Sequence, residues 1–405
     1  MGGPHGPARL PRAGPAPRAR AGDRAGPGGG RAGAGGPVSS VAAAFNPLDL
    51  SHTDDPYPRL AALRRERPVS SPLPGWHVVV RDADVRAVLA APEVWSSRRN
   101  NTSVPETAEA DRELALSQLD PPAHTRLRRL LSPAFARTVV AGLEPVVRER
   151  ATTLAGELRG EADLVAGFAA PLPRAVLAAF CGVADGDAAA YDRWAAGFTD
   201  LLGHRARPEW PAFERWALRA AEGPALGGVL GRLDRAEAVT FLHFLIVAGV
   251  PNLRHALGNL VLRLLREDHW RTEGLPEAVE ESLRLDPPAL WQMRTATRDT
   301  VLADTPVRAG ERVIAVVASA NRDPARWGED ADAFRPGRPG LRAHLAFGKG
   351  PHACLGASLT RLQLRVAAEV LIERHPGLRL APDFRFRRAG DFMSRGPATL
   401  PVHVE

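Results

Sequence analysis

The run Phe347-Gly348-Lys349-Gly350-Pro351-His352-Ala353-Cys354-Leu355-Gly356 sets one cysteine behind a glycine-rich turn and directly ahead of a helix predicted from Gly356 to about His375. The early glycines allow a tight turn. Backbone N–H groups and the dipole at a helix start favour thiolate over thiol, so Cys354 is a candidate metal ligand. The plain alternative is an ordinary buried thiol. Further upstream, Glu281 and Arg284 lie three apart, so they share one face of a helix predicted from Pro276 to Leu285 and can pair there. Exposed pairs of this kind contribute less than about 1 kcal/mol. The position just ahead of Pro287-Pro288 is what makes this one informative.

Several elements must hold these groups. Helical apolar spacing recurs in Tyr57 to Arg67, Asp82 to Ala90, Val139 to Leu158, Arg174 to Cys181 and Asp187 to Leu202. Trp76 to Val80 reads as a short strand after a Pro-Gly turn signal. From Ala236 to Arg266 the pattern stays helical for 31 residues, about 45 Å at 1.5 Å per residue. Its centre, Phe241 to Gly249, is apolar on nearly every side except His243, which predicts a buried spine. Val301 to Val317 alternates like a hairpin around Ala309-Gly310, and Leu378 to Val404 is strand-like with turns at Ala389-Gly390 and Gly396-Pro397. The fold class is therefore mainly α with small β-sheets.

The cysteine segment resembles the haem-binding loop of the cytochrome P450 family, whose pattern is Phe-Gly-x-Gly-x-His/Arg-x-Cys-x-Gly. Glu281-Ser282-Leu283-Arg284 resembles that family's Glu-x-x-Arg element. Ala320 to Pro324 and His344 to Phe347 read like its connecting motifs, so the resemblance covers about residues 45 to 405. It implies the cytochrome P450 fold, with haem b between the long central helix and the cysteine-loop helix. Cys354 is the implied iron ligand, and Phe347, Gly348, His352 and Gly356 are implied to surround the cofactor. Such a sulfur pushes electron density toward a bound oxygen species and favours O–O cleavage. The haem propionates need cationic or hydrogen-bonding partners. The family's places for these fall on His124, Arg128, Arg294 and His352. Glu281 and Arg284 are implied to hold the haem pocket structurally, with Arg338 as a third member.

The pattern breaks in the spine helix. There the family carries Ala-Gly-x-(Asp/Glu)-Thr, whose acid and alcohol relay protons during oxygen activation. The aligned run here is Ala248-Gly249-Val250-Pro251-Asn252. Pro251 has no N–H, so the Val247 carbonyl loses its helical partner and a kink is expected. Asn252 can donate a hydrogen bond but does not easily relay a proton at neutral pH. These four positions, Ala248, Gly249, Pro251 and Asn252, are the catalytic candidates. One outcome is an ordinary hydroxylase with a tolerated variant. The other is an atypical oxidation such as C–C or C–O coupling, desaturation, nitration or peroxide-driven oxidation. A reading from another class is a catalytically silent scaffold or activator of a partner biosynthetic enzyme. Retention of Cys354, the Glu281–Arg284 pair and all four propionate partners argues against it.

By the family's layout the substrate pocket is lined by Arg98 and Asn100 in one loop, by the segment around Phe198 to Phe213, and by Val247 beside Ala248. Leu290, Trp291 and Met293, with Phe392 and Met393, complete it. This implies a small-molecule or peptide-like natural-product intermediate, free or carrier-bound. The resemblance further implies electrons from NAD(P)H through ferredoxin reductase and ferredoxin. Arg126, Arg129, Lys349 and Arg361 are available to dock an acidic ferredoxin.

Composition narrows the partners. The chain has 405 residues and a formal net charge of +7. Residues 1–40 read as a disordered Gly/Pro/Ala/Arg-rich tail without the apolar run of a secretory signal, and 41–405 as a single domain. Arg9, Arg12, Arg18, Arg20, Arg24 and Arg31 against Asp23 place most of the net charge in that tail, which leaves no reason to propose a nucleic-acid partner. Lys349 is the only lysine among arginines, a bias expected of a bacterial genome rich in G and C. Two cysteines, Cys181 and Cys354, form no disulfide framework, which fits a reducing cytoplasm. No stretch reads as a membrane span, the best candidate being Phe241 to Gly249, so a soluble protein is expected.

Overall fold

The spine predicted from Ala236 is one continuous helix, Arg235–Arg266, and the other elements are arranged around it. The computed structural model describes residues 54–98, 114–182, 190, 193–194, 210–222, 226–389 and 393–405. Eight helices are labelled here: α1 (Tyr57–Glu66), α2 (Ala123–Leu131), α3 (Glu144–Glu157), α4 (Pro171–Phe180), α5 (Trp210–Glu222), α6 (Arg235–Arg266), α7 (Leu275–Leu285) and α8 (Ala357–Arg374). A capping box starts α6: the Asp234 side chain accepts from the Glu237 N–H at 2.8 Å, and Glu237 accepts from the Asp234 N–H at 3.3 Å. Apolar residues then bury most of its length, from Ala238 to Leu264. Pro251 sits inside without ending the helix. By length and composition alone α6 is apolar enough to cross a membrane, contrary to the sequence expectation that no stretch is. Its apolar surface instead meets α4, α5, α7 and α8 inside the protein. Trp210 and Phe213 of α5 stand edge-on to His243, with ring centroids 5.6 and 5.4 Å away. The one polar side chain of the spine's centre is thus enclosed by aromatic rings.

α8 packs on α3, and the contact is laced by Arg148–Glu369 at 2.6 Å and Arg365–Glu144 at 2.7 Å. The helix expected from Val139 to Leu158 is two helices, Arg137–Ala141 and α3. Pro145 explains the break: without an N–H it fits the first turn of a new helix and not the interior of a longer one. Only Ala190, Arg193 and Trp194 of the expected Asp187 to Leu202 helix lie within the described residues.

A five-stranded sheet carries β1 (Val69–Leu73), β2 (Trp76–Val79), β3 (Trp95–Ser96), β4 (Gln292–Ala296) and β5 (Arg312–Ala315), in the spatial order β1-β2-β5-β4-β3. β2 and β5 run parallel, pairing Trp76 with Arg312, and β4 runs antiparallel to β5, pairing Arg294 with Val313. That register fixes where the Arg294 side chain emerges. The hairpin expected around Ala309-Gly310 turns elsewhere. Thr300–Leu302 pairs with Thr305–Val307, and Ala303 and Asp304 make the turn at positive φ. Gly310 belongs to the entry into β5, where its N–H reaches the Ala296 carbonyl at 2.8 Å. Gly396-Pro397, expected as a turn, pairs as a strand with Arg388-Ala389.

Candidate active site

Glu281 and Arg284 meet inside the protein, with both side chains 0% exposed and N–O distances of 2.7 and 2.8 Å. The fork is fully used. Arg284 also donates to the carbonyls of Asn321 (2.6 Å), Ala331 (2.7 Å) and Ala333 (3.2 Å), and its guanidinium lies over Trp327. Glu281 accepts from the Arg335 N–H at 2.9 Å and from Arg338 Nε at 3.4 Å. One buried ion pair therefore ties α7 to the chain from 321 to 338, which leads into the cysteine loop. Neighbouring Asp286 is a second such centre. Burial would raise its pKa, but Arg263, Arg395 and Arg322 more than offset this and hold it well below the usual carboxylate range.

The cysteine loop closes on itself. The Cys354 N–H donates to the Phe347 carbonyl at 2.7 Å, and the Leu345 N–H donates to Asn321 Oδ1 at 2.7 Å. Gly348 and Gly350 take φ of +68° and +70°, and a Cβ would approach Gln292 Nε2 at the first and the Leu89 carbonyl at the second within 2.8 Å. Only glycine fits both positions. Cys354 is exposed to solvent-sized contact although protein atoms crowd it closely enough to desolvate its thiol. Burial pushes the thiol pKa up, against the Gly356 N–H and the charges of Arg128 and Arg361. The helix start does favour thiolate, as the sequence suggested, but desolvation is larger. A bound metal cation reverses that balance, because a coordinating thiol is deprotonated outright.

Beside the Cys354 sulfur, β4, α2 and His352 of the loop itself bring four basic side chains together. The His124 and His352 rings lie 4.1 Å apart. Both His124 nitrogens and His352 Nε2 are buried without a hydrogen-bond partner. Burial, then Arg294, His124 and Arg128, push His352 down to about 3, and burial lowers Arg294 to about 10. No carboxylate among the described residues pairs with Arg128 or Arg294; the latter donates only to the Met293 carbonyl and Gln292 Oε1. Two arginines without a carboxylate partner beside ring nitrogens that are buried and unpartnered call for an acidic ligand. An accessible sulfur next to this cluster fits a group that carries both a metal and carboxylates, which is what haem b is.

On α6, Ala248 is half-buried and Gly249 exposed in the middle of an otherwise buried helix. A Cβ at Gly249 would meet nothing within 4 Å. Asn252 Nδ2 donates one of its two N–H groups back to the Ala248 carbonyl at 2.7 Å. Its second N–H and its oxygen remain to donate and to accept.

Val247 and Trp291 are 1% and 2% exposed, so both pack into the interior and do not offer an open wall. Leu290, Met293 and Met393 are buried too, and the Leu290 N–H bonds to the Met393 carbonyl at 2.7 Å, which joins the two expected pocket segments. Arg98 is exposed; Asn100, Phe198 and Phe392 lie outside the described residues. Two arginines expected to be available on the outer face are engaged: Arg126 pairs with Glu237 and Arg361 with Glu280. Arg129 and Lys349 are exposed. The sequence reading missed Gln292, whose amide packs on Gly348 and receives Arg294; its polar side chain at the start of an otherwise buried strand was the available signal.

A sequence profile described as Cytochrome P450 matches residues 271–375. Over 377 residues the chain is 33% identical to the mycinamicin IV hydroxylase/epoxidase of Micromonospora griseorubida, covering 85% of this chain and 94% of that protein. It is 35% identical to the erythromycin C-12 hydroxylase of Saccharopolyspora erythraea, covering 85% and 93%. Among solved structures, that of CalO2 superposes with a TM-score of 0.80 at 30% identity, covering 90% of this chain and 99% of that one. Similarity at this level runs through nearly the whole length of the relatives, and with the cysteine loop and basic cluster in place the chain belongs to the cytochrome P450 family, as a haem-dependent oxidoreductase of the monooxygenase type.

Proposed function

We propose that this enzyme oxidises a natural-product biosynthetic intermediate, with Cys354 as the haem-iron ligand and Pro251-Asn252 deciding how protons reach the reaction. The relatives named for mycinamicin IV and erythromycin support this substrate class. Haem b supplies the oxygen-splitting redox chemistry, with electron density pushed from the thiolate. The chain's residues do the rest. His124, Arg128, Arg294 and His352 bind the propionates, and Gly348, Gly350 and Gly356 let the loop backbone turn close to the sulfur. Gly249 leaves room above α6.

The observation that carries the reading is the Asn252 Nδ2 to Ala248 carbonyl bond. That bond fixes the amide, and neither Pro251 nor Asn252 carries a group that releases a proton at neutral pH. They can hold a hydroxyl of the substrate or a water, and the proton must come from that molecule. Hydroxylation then depends on what the substrate donates, and coupling or desaturation follows when it donates nothing. Replacing Asn252 by threonine restores an alcohol there. We expect a changed product ratio and more product per reductant consumed, with a gain of up to about 100-fold. Intermediates that shift the ferric spectrum supply the substrate for this comparison, and identical ratios and coupling in both proteins would exclude a special role for Asn252.

Residues 41–405 act in this reading as one cytoplasmic domain, with 1–40 as an appended tail. Electrons come from NAD(P)H through a ferredoxin reductase and an acidic ferredoxin that docks on Arg129 and Lys349. Charge steering predicts that reduction slows steeply with added salt. Stopped-flow reduction that is insensitive to ionic strength would remove this partner.

A further inference from the structure

Glu280, next to the Glu281 of the buried pair, is 4% exposed and is not accounted for by any role given above. Its two oxygens reach both flanks of Cys354. On the upstream side, His344 Nε2 lies 3.1 Å from Oε2. His344 Nδ1 accepts the Ala346 N–H at 3.2 Å, so the ring proton sits on Nε2 and is donated to Glu280. On the downstream side, Arg361 of α8 grips Glu280 in a bidentate fork, with Nε to Oε1 at 2.5 Å and Nη2 to Oε2 at 2.9 Å. The Arg361 guanidinium then stacks over the Phe347 ring, 4.4 Å from its centroid. The Phe347 carbonyl receives the Cys354 N–H. A continuous set of contacts thus runs from the Glu280 carboxylate through Arg361 and Phe347 to the cysteine backbone.

We infer that Glu280 is a positioning residue for the cysteine ligand, clamping the entry and exit of its loop to α7 and neutralising the arginine that stacks beneath it. This rests on Cys354 being the iron ligand. Two physical effects follow. The clamp fixes the direction of the Cys354 backbone, and hence the angle at which sulfur meets the metal. The carboxylate also sets the local charge, because its ion pair offsets the Arg361 guanidinium that stacks on the Phe347 ring ahead of the cysteine. An outer partner of this kind is worth about 10- to 100-fold in the hold on a metal.

The test uses the haem-loaded full chain. Glu280→Gln keeps the shape and one acceptor but removes the negative charge. The expected result is an upward shift of the ferric/ferrous reduction potential, because a lost anion favours the incoming electron. The thiolate-type ferrous carbon monoxide band should also decay about 10-fold faster to the blue-shifted form. An unchanged potential together with an unchanged decay rate overturns the proposal. If Glu280→Gln does not accumulate, Arg361→Lys keeps the positive charge but loses the fork and the stack. The same faster decay is then expected, and a parental rate overturns the proposal. Should the parent protein itself lack the thiolate-type band, the Cys354 reading fails, independently of Glu280.

Discussion

Cys354→Ala will give a protein that no longer shows the red-shifted ferrous carbon monoxide band of thiolate ligation and does not oxidise any substrate that the parent converts. The loss must exceed the about 10- to 100-fold that removal of an outer partner of a ligand costs, because here the ligand itself is gone. Among the described residues nothing nearby can replace it. The other cysteine, Cys181, is buried in the core, and burial pushes its thiol up to about 12. His352, two residues away, is drawn into the basic cluster beside His124. Spectra of the reduced, carbon monoxide-treated variant decide the matter. A band at the parental position, or pigment retained without change, would mean that iron is held elsewhere.

Arg284→Ala will be nearly as damaging, but through stability. It strands the Glu281 carboxylate in a fully buried place and frees three backbone carbonyls that Arg284 now satisfies. Breaking a buried ion pair on one side costs about 3–5 kcal/mol, a large share of the roughly 5–15 kcal/mol by which a domain is stable. We expect a thermal midpoint lower by about 10 °C and a falling haem content. Arg284→Lys will rescue little. An ammonium keeps the charge but cannot span Glu281 and carbonyls at 321, 331 and 333 at once. Calorimetry with haem quantification checks both variants. A midpoint within about 2 °C of the parent for Arg284→Ala would show that Arg338 and the Arg335 N–H suffice for Glu281.

The helices were readable wherever the apolar period was long and a cap or proline marked an end. Asp82–Ala90 appears with its expected bounds, and α6 and α8 differ by a residue at their ends. Short β segments were less readable, because a few residues of alternation do not identify the partner strand. The turn at Ala303-Asp304 carries no glycine and was passed over in favour of Ala309-Gly310. The break at Pro145 was missed because apolar spacing continued across it.

What the sequence determined by itself is the chemistry on offer: a cysteine behind two glycines, an acid and an arginine one turn apart, and a spine helix in which proline and asparagine stand where an acid and an alcohol are usual. These are covalent facts of residue type and spacing, and local backbone rules suffice to interpret them. Only the tertiary structure decided which charges are used and which are free. It buried the Glu281–Arg284 pair, spent Arg126 and Arg361 on carboxylates far away in the chain, turned one of the two Asn252 amide N–H groups back on its own helix and joined both flanks of Cys354 to Glu280. It also let burial outweigh the helix start at the cysteine. Desolvation and pairing depend on distances between residues remote in sequence, and these exist only once the chain has packed.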